Sequence, residues 1–175
     1  MKSDVHRYPI GHFARVARPL DAASRATMIA AIEGAPGEIR ALVAPLTNAE
    51  LEKTYREGGW TIRQVVHHVP DSHMNAYVRI KLALTESAPP IKAYDEARWA
   101  ELPDARSAPV AFSLDLLDSL HRRWVTLLRA LTAEDFLRSY VHPKLGSVHL
   151  YEALALYAWH GRHHTAHIRN ALERH

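Results

Sequence analysis

The sequence contains no cysteine. That excludes disulfide frameworks, thiolate zinc sites, iron–sulfur clusters and cysteine nucleophiles, and it leaves any metal to nitrogen and oxygen ligands. No stretch approaches the roughly 18–20 uninterrupted apolar residues of a membrane span, and the opening MKSDVHRYPIGHF lacks the apolar core of a signal peptide. A cytoplasmic location without a membrane partner is therefore expected. Charge of one sign is also scarce, because 22 Lys and Arg are interspersed with 19 Asp and Glu for a formal net charge of +3. With no basic block, nothing in the chain supports nucleic-acid binding.

At 175 residues the chain is long enough to bury a core and is expected to form one domain over 1–175. Its 47% hydrophobic and 23% charged residues set it apart from disordered, collagen-like or low-complexity chains. Histidine is unusually abundant, with 13 copies. It is the commonest side-chain metal ligand and the usual proton carrier near neutral pH, so the placement of these residues decides the reading.

Residues 1–20 read as an irregular arm punctuated by Pro9, Gly11 and Pro19. From Asp21 an apolar helical pattern begins. Gly34, Pro36 and Gly37 interrupt it, giving two short helices or one kinked helix over 21–46. Thr47 with Glu50 forms a capping-box signature, and Thr61 with Gln64 forms another that opens a helix over about 62–84. A long connection over 85–109 carries Pro89, Pro90, Pro103 and Pro109. Ser113 is read as the cap of a helix whose stripe is Leu116, Leu117, Leu120, Trp124, Leu127, Leu128 and Leu131. Thr132 and Asp135 start a further short helix, and a final helix runs from about Val148. Period-two alternation is confined to about 140–148. The expected fold class is all-α, a four-helix bundle with a long crossover loop.

On the last helix, YAWHGRHHTAH brings His160, His163, His164 and His167 within about two turns. Ala153, Tyr157, His160, His164, Ile168 and Ala171 share one otherwise apolar stripe. A pair spaced i, i+4 there can reach one ion, whereas a histidine-rich solvated face is the plainer alternative. His163 falls with Leu156, Trp159 and Asn170, and His167 lies near the edge of the stripe. The 62–84 helix offers a third ligand from His67 or His68, His68 sharing a polar stripe with Gln64, Asp71, Ser72 and Asn75.

Three segments, GGWTIRQVVHHVPDSHMNAYVRIKLALTE, YDEARWAELPD and LYAWHGRHHTAHI, together with YPIG and LHRRWVTLLRALT, resemble the DinB-like superfamily in its YfiT-type branch of metal-dependent hydrolases. That resemblance implies a four-helix bundle in which three histidines bind a divalent ion, zinc or nickel. The second-helix motif falls on Trp60, His68 and Asp71, and the terminal H-x-x-x-H falls on His160 and His164. Pro70 departs from the small helix former usual there and is expected to bend the helix beside His68.

Three neutral imidazoles leave an ion its charge and an open position. The first expectation is a metal-dependent hydrolase using a metal-bound water on a small-molecule substrate. Asp71 is a candidate base or an orienting partner of His68. The resemblance also implies an alternative, a thiol S-transferase that conjugates a low-molecular-weight thiol such as bacillithiol through a metal-bound thiolate. A non-catalytic metal-binding bundle is the third reading. Trp60, Tyr94, Trp99, Asn75 and Arg79 are candidates for the pocket wall or lid, and a homodimer is expected from the same resemblance.

Overall fold

Reciprocal caps fix where much of this chain turns into helix. In the computed structural model, which describes residues 2–174, helix α1 spans Lys2–Arg7, α2 Ala22–Val43, α3 Asn48–Leu51 and α4 Ile62–Thr85. Helices α5, Glu96–Trp99, and α6, Pro103–Ser107, follow, and then α7, Val110–Ala130. A 3-10 turn, Asp135–Leu137, leads into a hairpin of β1, Ser139–His142, and β2, Gly146–His149, and the last helix α8 spans Leu150–Glu173. Both expected capping boxes form. Thr47 caps α3 with Glu50, and Thr61 caps α4 with Gln64, each pair satisfying two backbone N–H groups that no helical carbonyl can reach.

Four long helices make the bundle: α2 and α4 each pack against both α7 and α8. The expected all-α bundle is thus what the chain forms, with the hairpin added beside α4 and α8. The crossover over 86–109 is partly helical through α5 and α6. Gln64 Nε2 ties it to the start of α4 by donating to Ala100 O at 2.8 Å.

Several local expectations need correction. Residues 2–7 are helical rather than irregular, and the following arm is anchored by Arg15, whose Nε donates to Glu152 Oε1 at 3.0 Å. Of the two readings over 21–46, the single helix is found, running through Gly34, Pro36 and Gly37. Pro70 is likewise contained in an uninterrupted α4. Ser113 does not cap α7, which starts at Val110 after Pro109; its hydroxyl is bonded to His67 instead. The buried stripe of α7 is Leu114, Leu117, His121, Trp124, Val125 and Leu128, while Leu116 is exposed.

The core has two apolar clusters. One gathers Ile29, Ile32, Ile80, Trp124, Leu128 and Leu154; the other gathers Ile39, Val43, Val65, Val69, Leu117 and Ile168. Burying each such aliphatic side chain stabilises the fold by about 1.5–3 kcal/mol. Between the clusters, at the same level of the bundle, α4 contributes His68 and His73, α7 His121, and α8 His160 and His164. The bundle therefore carries an imidazole layer across its middle. Among the described residues, no helix is long and apolar enough to cross a membrane.

Candidate metal centre

His68 lies two turns into α4, and His160 and His164 lie one turn apart on α8. The structure brings one ring nitrogen from each within 4.8 Å of the others. Ring centroids are 5.4 Å apart for His68 and His160, 4.9 Å for His68 and His164, and 4.5 Å for His160 and His164. Trp60 packs on the His68 ring at 4.7 Å and fixes its plane from outside. Burial pushes His68 down to about 4, and burial with neighbouring imidazoles holds His160 and His164 well below the ordinary range. All three rings are neutral at pH 7, so each carries one nitrogen lone pair.

His67, the alternative on α4, faces another way. Its Nε2–H donates to Ala108 O at 3.2 Å, so its Nδ1 accepts from the Ser113 hydroxyl at 2.7 Å. Both ring nitrogens are used in joining α4 to the start of α7.

The tautomers at the trio follow from carbonyls at the far ends of two histidine chains. In α2, Ile32 O would normally accept from the N–H of residue 36, but residue 36 is Pro36 and has none. His121 Nδ1–H donates to that carbonyl at 2.6 Å. The other nitrogen of neutral His121 must then accept, and it takes Nδ1–H of His73 at 2.7 Å. His73 Nε2 accepts in turn from Nδ1–H of His160 at 3.0 Å. The His160 lone pair is thus on Nε2, where the Ser72 hydroxyl donates at 3.4 Å. This chain crosses all four helices of the bundle, from α8 through α4 and α7 to α2.

A shorter chain acts on His164. Arg7 O accepts from His167 Nε2–H at 3.0 Å, which leaves His167 Nδ1 to accept from His164 Nδ1–H at 3.4 Å. The His164 lone pair is again on Nε2. Tyr55 stacks on His167 at 3.9 Å and holds the intermediate ring. Hydrogen bonds of this kind on the non-ligating nitrogen orient ligand histidines in metal sites and raise their basicity. Sequence reasoning misses His73, His121 and the role of His167. The signals that point to them are Pro36 within a helix and the position of His121 between Leu117 and Trp124 on an apolar stripe.

Nitrogen-only donors, neutral and converging from two helices with no fourth protein group among the described residues, fit a borderline divalent ion that keeps an open position. Known proteins resemble this chain in sequence and fold. The sequence model of the DinB superfamily matches residues 31–168. The chain belongs to the DinB superfamily. It is 53% identical over 168 residues to a Bacillus cereus strain B4264 protein named "putative metal-dependent hydrolase", covering 96% of each chain. It is 52% identical over 168 residues to a Bacillus thuringiensis subsp. konkukian protein of the same description, again covering 96% of each. The solved structure of YfiT from Bacillus subtilis, described as "a probable metal-dependent hydrolase with an unusual four-helix bundle topology", superposes with a TM-score of 0.94 at 43% identity, covering 97% of each chain.

In this DinB-superfamily chain two cavities flank the trio. One, of about 280 Å³, is lined by His68 and His160 with Ser72, Arg79, Tyr94 and Tyr157. The other, of about 380 Å³, is lined by His68 and His164 with Arg7, Tyr8, Arg56 and Trp60. Trp60, Tyr94 and Arg79 thus reach a cavity wall, while Trp99 backs Tyr94 at 4.5 Å. Asn75 instead bonds its own helix, donating to Asp71 O at 2.9 Å. Among the described residues no hydrogen bond joins the Asp71 carboxylate to His68. Asp71 is half-buried, and desolvation with Asp104 nearby pushes its carboxyl up to about 6.

Proposed function

We propose that the protein is a metal-dependent hydrolase whose divalent ion is held by His68, His160 and His164. The observation that carries this reading is the convergence of three neutral imidazoles, with one nitrogen from each within 4.8 Å of the others. The names borne by its relatives support it. A divalent ion, zinc or nickel by the donor set, would supply Lewis acidity when bound and bring the pKa of a coordinated water down toward neutrality.

The chain's own groups prepare that chemistry. The two histidine chains fix the lone pairs of His160 and His164 on Nε2, so the tautomer of each ring is set before an ion binds. Trp60 and the apolar clusters cover the rings where the two cavities do not reach them. Asp71, on the same helix as His68 and with its carboxyl raised to about 6, lines neither cavity and is assigned no step. The two cavities admit a small molecule rather than a polymer.

The test is a screen of amide and ester substrates with the metal-loaded protein, run with and without a low-molecular-weight thiol. Turnover without thiol that disappears on chelation and returns with metal supports the hydrolase. Turnover only with thiol, giving a conjugated product by mass spectrometry, replaces it with thiol transfer.

A further inference from the structure

Arg79 and Arg63 are both deeply buried in α4, at 8% and 7% exposure. Arg63 is neutralised there: its Nε donates to Glu52 Oε1 at 2.7 Å, and its Nη2 donates to Asn48 at 3.2 Å. Arg79 has no such partner. Its Nη2 donates to Lys92 O at 3.1 Å, and the Tyr157 hydroxyl lies beside it. Among the described residues no carboxylate lies within ion-pair distance of its guanidinium. A buried charge is ordinarily paired, because the desolvation cost is otherwise uncompensated.

The unpaired guanidinium lines the 280 Å³ cavity that His68 and His160 also line. Lys144 at the hairpin turn adds a second cation to that wall, and its carboxylate content is a single exposed residue, Glu96. Two cations against one carboxylate, beside a centre that would carry a further positive charge, make the cavity complementary to an anion. A guanidinium with most of its five N–H groups uncommitted matches the paired oxygens of a carboxylate or phosphate.

We infer that the cavity bounded by Arg79 and Lys144 binds the oxyanion group, carboxylate or phosphate, of a small substrate and directs its remaining part toward His68, His160 and His164. For the identity of the bound molecule as substrate this rests on the hydrolase reading; the anion site itself does not require the metal. Arg79 is then the specificity-determining contact and Lys144 a long-range attractor at the mouth.

The experiment titrates metal-free full-length protein with inorganic phosphate, with succinate and with neutral succinamide at constant ionic strength, followed by NMR shifts of cavity residues. Saturable binding of phosphate or succinate is expected, with none of succinamide, and the tighter anion identifies the oxyanion class. Arg79→Gln should weaken that binding about tenfold or more, the loss of one charged hydrogen-bonding partner. Lys144→Ala, at an exposed position where folding is not at stake, should weaken it about threefold, as loss of a rim charge does. No saturable binding to the native protein overturns the inference, as does native-like affinity in the folded variants. Metal content and anion binding measured also on the protein as purified, before metal removal, separate the two proposals. A native protein that takes up no metal yet binds anions through Arg79 refutes the metal reading alone. A metal-loaded protein that binds neither anion refutes this inference alone.

Discussion

Replacing His121 by Leu tests the longer histidine chain at its most distant ring. His121 is 2% exposed and lies two hydrogen bonds from the trio. The substitution leaves the Ile32 carbonyl without its donor and His73 Nδ1–H without its acceptor. Each buried group so orphaned costs about 1–3 kcal/mol, so urea unfolding of the metal-free protein should show a loss of roughly 3 kcal/mol. His73 is then free to exchange tautomers, and His160 loses the acceptor that holds its proton on Nδ1. Metal affinity, measured by chelator competition, should fall about 10–100-fold, the usual effect of removing an outer partner of a ligand histidine. Adding Pro36→Ala to His121→Leu supplies a helical N–H for Ile32 O and should recover more than about 1 kcal/mol of the lost stability. Long-range nitrogen–proton NMR of the native metal-free protein should show His160 protonated on Nδ1. A proton on Nε2 there, or affinity within about twofold of native in His121→Leu, would refute the reasoning.

Other consequences are separately measurable. His68 and His121 are each pushed down to about 4 from 6.5 by burial. The unfolded chain therefore binds more protons between those values, and metal-free stability should be full above about 6.5 and fall as pH drops toward 4. Each group contributes about 3 kcal/mol to that fall, with the raised Asp71 carboxyl acting in the opposite sense over part of the window; flat urea midpoints from pH 7 to 4 would contradict this. A Cβ at Gly161 would sit 3.2 Å from Ala35 Cβ and 4.0 Å from His73 Cε1, so Gly161→Val should cost about 1–3 kcal/mol by thermal unfolding through overpacking of α8 on α2. Thr61→Ala removes the cap of α4 and should cost about 1 kcal/mol, read from the same melts. A gain in stability for either variant would show that these contacts are not limiting.

Much of the fold and of the candidate metal centre is legible in the amino-acid sequence. The boxes at Thr47 and Thr61 act within four residues, so local chemistry decides them, and the i, i+4 spacing of His160 and His164 places both on one helix face whatever packs against it. His68 is separable from His67 by the polar stripe and, more firmly, by resemblance to relatives, and the structure sends His67 to Ser113 and Ala108 instead. The rest depends on contacts between residues distant in sequence. The helix at 2–7 is short and lies against α8, which holds it through the Arg7 carbonyl. The stripe of α7 is misread by about one position because hydrophobicity alone favours Leu116 over His121, although His121 has a buried acceptor and donor waiting for it. Pro36 reads as a helix breaker in isolation; in the bundle the carbonyl it frees anchors the imidazole layer.

The most direct measurement is metal stoichiometry by mass spectrometry on tag-free protein purified without added metal, made beside four variants. About one ion per chain is expected in the native protein and in His67→Ala, with loss of the ion in His68→Ala, His160→Ala and His164→Ala. A native protein without metal, or loss of the ion only in His67→Ala, would contradict the three-histidine centre.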